Sequence, residues 1–299
     1  MTFEMRAGFY FVAFVDLLGQ REKLARFGVT APKTGEEKLA FDEAMADTGG
    51  VVRNVRESVD RWLTAGKRPS DEALAKMAPE RRDEFASITT HEAFQTGFSD
   101  SFVVAFPLQV DGVDERLSRA RAAYDLWSAL LGLAVLSLES VAQGIPWRAG
   151  MDVGIGLNIL PNEVYGPVLL SAYSLESTVA EYPRAVIGRG LLDYLAYLGR
   201  LPGDEPLDAF AARMAAGSNE FICTSSDGWP KLHIISPAVL RAATDLPQKK
   251  LLAHRWVRDQ VAFHWSRNNE KLFRRYSRLA HYFDAFPPPL DPSVVNAKS

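Results

Sequence analysis

The fold of this chain is decided by the stretch Phe9-Tyr10-Phe11-Val12-Ala13-Phe14-Val15-Asp16-Leu17-Leu18-Gly19-Gln20. Its aromatic and β-branched run predicts a buried strand over about residues 8–16, with a carboxylate at the point where the strand ends. An ionised carboxylate in such a place is costly unless it is paired or bound to a metal ion. For one aspartate alone, capping of a turn or of the following helix is the commoner explanation.

A second aspartate occupies the same kind of position. The segment Phe98-Ser99-Asp100-Ser101 precedes another apolar run, and residues 93–98 and 101–107 together predict a hairpin with Asp100 in its turn. If sheet pairing brings Asp16 and Asp100 together, their charges repel, and a divalent cation bound to both removes the conflict. The pair therefore favours a metal site over two separate turn caps.

Composition excludes several classes of protein. The chain has 299 residues, 47% of them hydrophobic, and its net charge of −3 gives no global attraction to nucleic acid or anionic membrane. The single cysteine, Cys223, excludes an intramolecular disulfide and a thiolate metal site. The N-terminus has no secretory signal pattern, and the most apolar stretch, residues 129–138, is shorter than the roughly 20 residues that span a membrane. We expect a cytoplasmic protein without a membrane or nucleic-acid partner.

The remaining patterns predict an α+β fold, an antiparallel-rich sheet flanked by helices. A short helix is expected to open at Leu17, and the polar stretch 66–86 to form a surface loop or short helix. Further helices are predicted over 36–64, 114–143 and 166–180, and further strands over 147–156, 159–165 and 182–187.

The character of the chain changes after residue 200, which predicts a first domain over 1–200 and a C-terminal extension over 201–299 packed on it. The extension should hold a strand pair within 219–235, a long helical segment over 249–285 and a loose tail. That helical segment is both basic and aromatic, a combination that can indicate nucleic-acid binding. In a slightly acidic chain, an amphipathic helix with solvated cations is the favoured interpretation.

Three segments, in chain order, resemble motifs of class III nucleotidyl cyclases. Phe14-Val15-Asp16-Leu17-Leu18-Gly19 is similar to their first metal motif, and Phe98-Ser99-Asp100-Ser101 to their second. Glu163-Val164-Tyr165-Gly166-Pro167, continuing through Ala172-Tyr173-Ser174-Leu175-Glu176-Ser177, resembles the segment that opens their catalytic helix. The resemblance covers about residues 8–190. It implies a class III cyclase-like sheet, with 1–200 as the catalytic domain and a helical extension after it.

Within that superfamily the chain most resembles the pyrimidine cyclases of Pycsar antiphage systems, which make cyclic UMP or cyclic CMP. The features behind this are the Ser-Asp-Ser turn, Tyr-Gly-Pro followed by Ala-Tyr-Ser-Leu-Glu, and Tyr182-Pro183-Arg184. The resemblance implies conversion of UTP to 3′,5′-cyclic UMP and pyrophosphate, a signal read by a separate cyclic-nucleotide-responsive effector. The alternatives are a cytidylate cyclase, a purine nucleotide cyclase, and a catalytically silent dimerisation or nucleotide-sensing module.

The resemblance also implies the binding residues. Asp16 and Asp100 would hold two divalent cations, Mn²⁺ or Mg²⁺, with the Leu17 carbonyl as a further ligand. The β- and γ-phosphates would meet backbone N–H groups at a helix N-terminus, those of Leu18, Gly19 and Gln20. In this family the site lies between two subunits, so the aspartates of one chain would face the 163–176 segment of the other in a C2 homodimer.

Departures from the family pattern concern the base and the transition state. Adenylate cyclases read adenine with Lys and Asp where this chain has Thr96 and Glu163, and guanylate cyclases have Glu and Cys there. A site without those groups discriminates against purines. The usual Asn and Arg of the catalytic helix align with Leu170 and Ser174, the latter kept as a substrate-binding residue. The catalytic role of that arginine then passes to Arg148 or Arg184, for which a structural ion pair is an equally good explanation.

Overall fold

One mixed sheet organises the fold, seen in a computed structural model that describes residues 6–19, 27, 32, 34–65, 83, 93–109, 112–160 and 163–286. Within these ranges eight strands join in the order β2-β3-β1-β4-β6-β8-β7, with β5 paired to β4. The strands are β1 (Arg6–Leu17), β2 (Phe94–Phe98), β3 (Ser101–Pro107), β4 (Trp147–Leu160), β5 (Glu163–Tyr165), β6 (Ala185–Ile187), β7 (Ile222–Thr224) and β8 (Pro230–Leu232). Neighbouring strands are antiparallel except for β4 and β6.

Helices cover this sheet, which confirms the α+β class and its antiparallel-rich sheet. They are α1 (Gly35–Ala65), α2 (Glu115–Ala142), α3 (Pro167–Ser174), α4 (Arg189–Leu198), α5 (Pro206–Ser218), α6 (Pro237–Leu240), α7 (Leu246–Ser266) and α8 (Glu270–Ala285). The predicted surface segment at 66–86, apart from residue 83, and the tail after residue 286 lie outside the described residues.

The alternation of side chains along β1 assigns its two faces. Phe11, Ala13, Val15 and Leu17 lie in the main core with α2, whereas Tyr10 and Val12 pack in a smaller cluster with Val168 and Ala172 of α3. Successive strand residues point to opposite faces, so Asp16 belongs to the α3 face. The face that carries the acidic strand end is therefore the one covered by α3.

Helix α2 forms the centre of the main core. Asp114 caps its first turn by accepting hydrogen bonds from the N–H groups of Arg116 and Leu117. Among the described residues it is the one helix long and apolar enough to cross a membrane, and 78% of its most apolar window is buried inside the fold. That burial is typical of a core helix.

Several predicted boundaries are corrected. No helix opens at Leu17, because β1 continues through that residue and Leu18 and Gly19 form a turn. The helix predicted over 166–180 ends as α3 at Ser174 and continues as a π-helical turn, Leu175–Val179. The segment over 249–285 is two helices, α7 and α8, because Asn268 has a left-handed φ of 53° and Asn269 caps α8.

The C-terminal part is tied to the sheet, since β8 pairs with β6 and β7 pairs with β8. A division of the chain near residue 200 stays a prediction.

Tyr282 of α8 packs against His233. Its Oη accepts a hydrogen bond from the N–H of Ile235 and lies 2.8 Å from His233 Nδ1. Lys231 Nζ lies 3.6 Å from the centre of the Tyr282 ring. Burial, with Lys231 and Lys250 nearby, lowers the pKa of His233 to about 4.

This histidine should make the fold sensitive to acid. Its pKa is lower in the folded chain than the ordinary 6.5 of the unfolded chain, so between pH 6.5 and 4 the unfolded chain binds more protons. Stability should fall as pH drops through that interval, with a contribution of about 3 kcal/mol from this group. Denaturant melts at pH 7, 5.5 and 4.5 should show a weaker pH dependence for His233→Gln than for wild type. His281→Gln, at an exposed histidine, is the control, and equal slopes in all three proteins would contradict the assignment.

Candidate active site

Asp16 lies between two polar neighbours at the end of β1. Its sheet partners are Ser101 on β3 and Arg148 on β4. Oδ1 accepts a hydrogen bond of 2.8 Å from Ser101 Oγ, and Oδ2 accepts bonds from Arg148 Nη2 and Nε at 3.1 and 3.2 Å. Both oxygens of this carboxylate therefore face polar groups of the adjoining strands, on the face covered by α3.

Asp100 lies in the turn that joins β2 to β3, and the sheet brings this turn to the end of β1. The N–H of Leu17 donates to the carbonyl oxygen of Asp100 at 3.1 Å, next to the pairing of Asp16 with Ser101. Ser99 takes a left-handed φ of 56° within the turn. Asp16 and Asp100 line one open cleft of about 1600 Å³. The structure thus brings the two sequence-predicted aspartates to a shared cavity.

The same cleft is also lined by cationic side chains. It includes Arg53 and Arg56 of α1 and Arg275 of α8, next to the acidic Glu57 and Asp60. The guanidinium of Arg56 lies so close to Gly97 that a Cβ there would meet it at 2.2 Å. A cavity lined by both carboxylates and arginines fits a ligand that carries both metal ions and phosphate groups.

Arg148 also lines the cleft. Its second partner, after Asp16, is the carboxylate of Glu176, for which the sequence motifs predicted no role. Arg148 Nε lies 2.6 Å from Glu176 Oε1 without hydrogen-bond geometry, and Glu176 is 3% exposed. Burial raises the pKa of Glu176 to about 7, while Arg148 opposes this effect and Asp16 adds to it. The signal in the sequence was periodicity, because Val168, Ala172 and Glu176 follow a spacing of four on the buried side of one helical segment.

Arg184 takes no part in this cleft. Its side chain is 2% exposed and forms a bidentate pair with Asp227 at 2.7 and 2.9 Å. It also donates to Ser225 Oγ and to the carbonyl of Val179. The hydrogen bonds that Arg184 donates to Asp227 hold the pKa of that carboxyl well below its ordinary range. The contacts are those of a structural ion pair that joins the π-helical turn to the loop between β7 and β8.

The structure changes the expectation for the backbone N–H groups that were predicted to bind phosphate. The N–H of Leu18 donates to the carbonyl of Pro146 at 3.0 Å, so in this structure it is already paired. Gly19 lies in the turn with a φ of +83° and has open space where a side chain would be. Gln20 lies outside the described residues. Of the two described residues, Gly19 offers the clearer approach to a ligand in the cleft.

The remaining predicted residues lie away from the cleft of a single chain. Thr96 faces Val103 across the β2–β3 pair, and Glu163 is exposed at the start of β5. Ser174 ends α3, where its carbonyl accepts a bond from Thr178 Oγ1. Leu170, on the same helix, is 64% exposed. None of these four lines the cavity that holds Asp16 and Asp100.

The donor set at the aspartates suits a hard cation. No group of three or more His, Cys, Asp or Glu placed to hold a metal ion occurs among the described residues. Mg²⁺ usually binds through one or two carboxylates and completes its shell with water and substrate phosphates. Two carboxylates at the rim of a cleft lined by arginines match that pattern. In this structure Asp16 is paired with the guanidinium of Arg148, which a metal ion at Asp16 would have to displace.

Comparison with solved structures finds likenesses, of which one is described. The crystal structure of the adenylyl cyclase CyaB from P. aeruginosa matches with a TM-score of 0.36 and 15% identity, over 65% of this chain and 84% of that chain. No family model matches the sequence. No curated protein sequence matches it. A likeness of this size transfers no residue role.

Proposed function

We propose that this chain is a metal-dependent nucleotide cyclase that converts a nucleoside triphosphate to its 3′,5′-cyclic monophosphate and pyrophosphate. The observation that carries the proposal is the convergence of Asp16 and Asp100, from distant parts of the chain, on one cleft that also contains Arg148. In the reaction the ribose 3′-hydroxyl loses its proton, its oxygen bonds to the α-phosphorus, and the bond to the pyrophosphate oxygen breaks. No nucleophile from the protein is needed.

Each polar group of the cleft has a place in that reaction. Asp16 and Asp100, with the Leu17 carbonyl, would hold two divalent cations, Mn²⁺ or Mg²⁺, and bound cations would lower the pKa of the 3′-hydroxyl and neutralise phosphate charge. Arg148 donates to the triphosphate and supports the charge that develops on it. Gly19 gives the phosphates a close approach to the backbone.

The substrate we propose is a pyrimidine triphosphate, with UTP converted to cyclic UMP and CTP as the alternative. Support comes from the motif resemblance to Pycsar cyclases. It also comes from Thr96 and Glu163, which stand at the positions where adenylate cyclases have the Lys and Asp that bind adenine. In such a system the product would activate a separate effector and so signal phage infection.

Large exposed apolar side chains support a C2 homodimer. These side chains are on β4, β5 and α3, and they are Ile155, Leu160, Tyr165, Leu170 and Tyr173. Glu163 and Ser174, which do not line the cleft of a single chain, lie on β5 and α3 as well. An exposed apolar surface of this kind is typical of a protein interface. A partner bound there would add residues of its own 163–176 segment to a cleft that already contains Tyr173 and Glu176 of the first chain.

The test is incubation of the full chain with Mn²⁺ and each of the four nucleoside triphosphates, alone and in competition, with products identified by mass spectrometry. We expect cyclic UMP in excess over the other products, an equal amount of pyrophosphate, and loss of both when EDTA removes the metal. Predominant cyclic AMP or cyclic GMP would transfer the assignment to a purine cyclase. Absence of any cyclic product would overturn the enzymatic proposal.

A second candidate function follows from α3. Leu170 and Ser174 stand where class III cyclases carry Asn and Arg, and Leu170 cannot donate a hydrogen bond. A cyclase-like module that binds a nucleotide without turnover would have this composition. Binding of UTP and Mn²⁺ by calorimetry, with no product in the assay above, would favour this function.

A further inference from the structure

Glu176 and Asp16 share one arginine. Arg148 Nε lies 2.6 Å from Glu176 Oε1 and 3.2 Å from Asp16 Oδ2, while Nη2 contacts Asp16 at 3.1 Å. Two carboxylates thus face a single guanidinium, and Glu176 Oε1 is buried with no hydrogen-bond donor among the residues that the structure describes. The arrangement leaves one carboxylate with incomplete compensation of its charge.

The position of Glu176 is held by the backbone beneath it. It belongs to the π-helical turn after α3, a distortion often found at functional sites. This turn packs directly on β4, since a Cβ at Gly150 would meet the carbonyl oxygen of Ala172 at 2.0 Å and the nitrogen of Glu176 at 2.7 Å. Glu176 is therefore placed beside Arg148 by main-chain packing and needs little ordering to make the contact.

We propose that Glu176 is a positioning residue that holds Arg148 when Asp16 binds a divalent cation. This inference rests on the proposed function. When Asp16 binds a cation, Arg148 no longer contacts the Asp16 carboxylate. It stays in contact with Glu176 through Nε, the atom that makes its shortest contact. The Nη atoms are then directed to the triphosphate in the cleft. Without Glu176, Arg148 stays on Asp16 and competes with the cation.

The proposal makes the two side chains act in opposite directions on metal binding. Removing Arg148 removes the competitor, so Arg148→Met should bind Mn²⁺ more tightly than wild type. Replacing the Glu176 carboxyl by an amide removes the group that holds Arg148 away from Asp16, so Glu176→Gln should bind Mn²⁺ several-fold more weakly. In the Arg148→Met background, Glu176→Gln should add little, because its effect acts through the arginine.

The experiment is calorimetric titration of the full chain with MnCl₂ alone, without nucleotide, for wild type, both single variants and the double variant. Glu220→Gln is the matched control, since it removes a carboxylate paired with Arg241 at the surface. If Glu176→Gln weakens Mn²⁺ binding equally with and without Arg148, Glu176 is a direct ligand and the proposal is overturned. It is also overturned if wild type binds no Mn²⁺, or if Arg148→Met does not tighten binding.

Turnover gives a second readout. Under the proposal Glu176→Gln should lower kcat more than it raises KM for the triphosphate, and Glu176→Asp should restore part of kcat. A merely structural role would lower the melting temperature and leave the Mn²⁺ isotherm unchanged. If no triphosphate is cyclised but the four isotherms follow the expected pattern, the proposed function fails and the link between Glu176 and Arg148 stands. If wild type cyclises and Glu176→Gln matches it in both readouts, this inference alone fails.

Discussion

Asp16→Asn is expected to lower the rate of cyclic nucleotide formation by about 100-fold or more while leaving the fold intact. A metal-bound carboxylate supplies several kcal/mol of transition-state stabilisation, and each 1.36 kcal/mol is about tenfold in rate. The amide has the same shape, and its oxygen can still accept the hydrogen bond that Ser101 Oγ now gives to Oδ1. Initial rates at saturating Mn²⁺ and substrate, together with a thermal melt, measure the two halves of this expectation.

The matched control is Asp193→Asn. That aspartate is exposed and pairs with Arg189 along α4, outside the cleft, so its loss should change neither rate nor melting temperature by much. Asp100→Asn should behave like Asp16→Asn. A folded Asp16→Asn protein that keeps wild-type turnover would show that the carboxylate is a turn or strand-end feature without a metal role.

Gly150→Ala is expected to cost several kcal/mol of folding stability and most of the activity. Its Cβ would stand 2.0 Å from the carbonyl oxygen of Ala172, a main-chain atom that cannot move aside without shifting α3. Overpacking of this kind costs about 1–3 kcal/mol and sometimes more. The shift also displaces the turn that carries Glu176, beside Arg148. Urea denaturation measures the first effect, and kcat of the folded fraction measures the second.

Gly154→Ala on the same strand is the control. A Cβ there would meet Val168 at 3.5 Å, which is ordinary van der Waals contact. The two substitutions add the same methyl group to the same face of β4, so only the clash distinguishes them. Equal stability of the two variants would mean that α3 does not pack on β4 as closely as described.

The strand that ends at Asp16 could be predicted from sequence because its signal is local. Alternating burial along β1, the hairpin around Asp100 and the long α2 follow from residue type and spacing within a short window. The partners of a carboxylate at a strand end come from distant parts of the chain, and residue patterns within one strand do not predict the pairing register. Ser101 and Arg148 meet Asp16 because β1 pairs with β3 and β4 in one particular alignment.

The two candidate arginines show the same limit. Arg148 and Arg184 each follow the start of a strand region and cannot be ranked by their neighbours in the chain. The structure separates them through a distant residue, because Asp227 pairs with both Nη atoms of Arg184, whose side chain is buried away from the cleft. The spacing of four from Val168 and Ala172 places Glu176 on the buried side of its helical segment, but the π-helical turn that brings it to Arg148 has no local sequence signature.

The central claim is that Asp16 and Asp100 hold divalent cations beneath a triphosphate. The most direct measurement is a crystal of the full chain grown with Mn²⁺ and a non-reacting UTP analogue, with anomalous scattering used to locate the metal. We expect Mn²⁺ peaks bonded to oxygens of both carboxylates and to the phosphates. Ordered analogue in the cleft with Asp16 still bound by Arg148, and no metal peak at either aspartate, would contradict it.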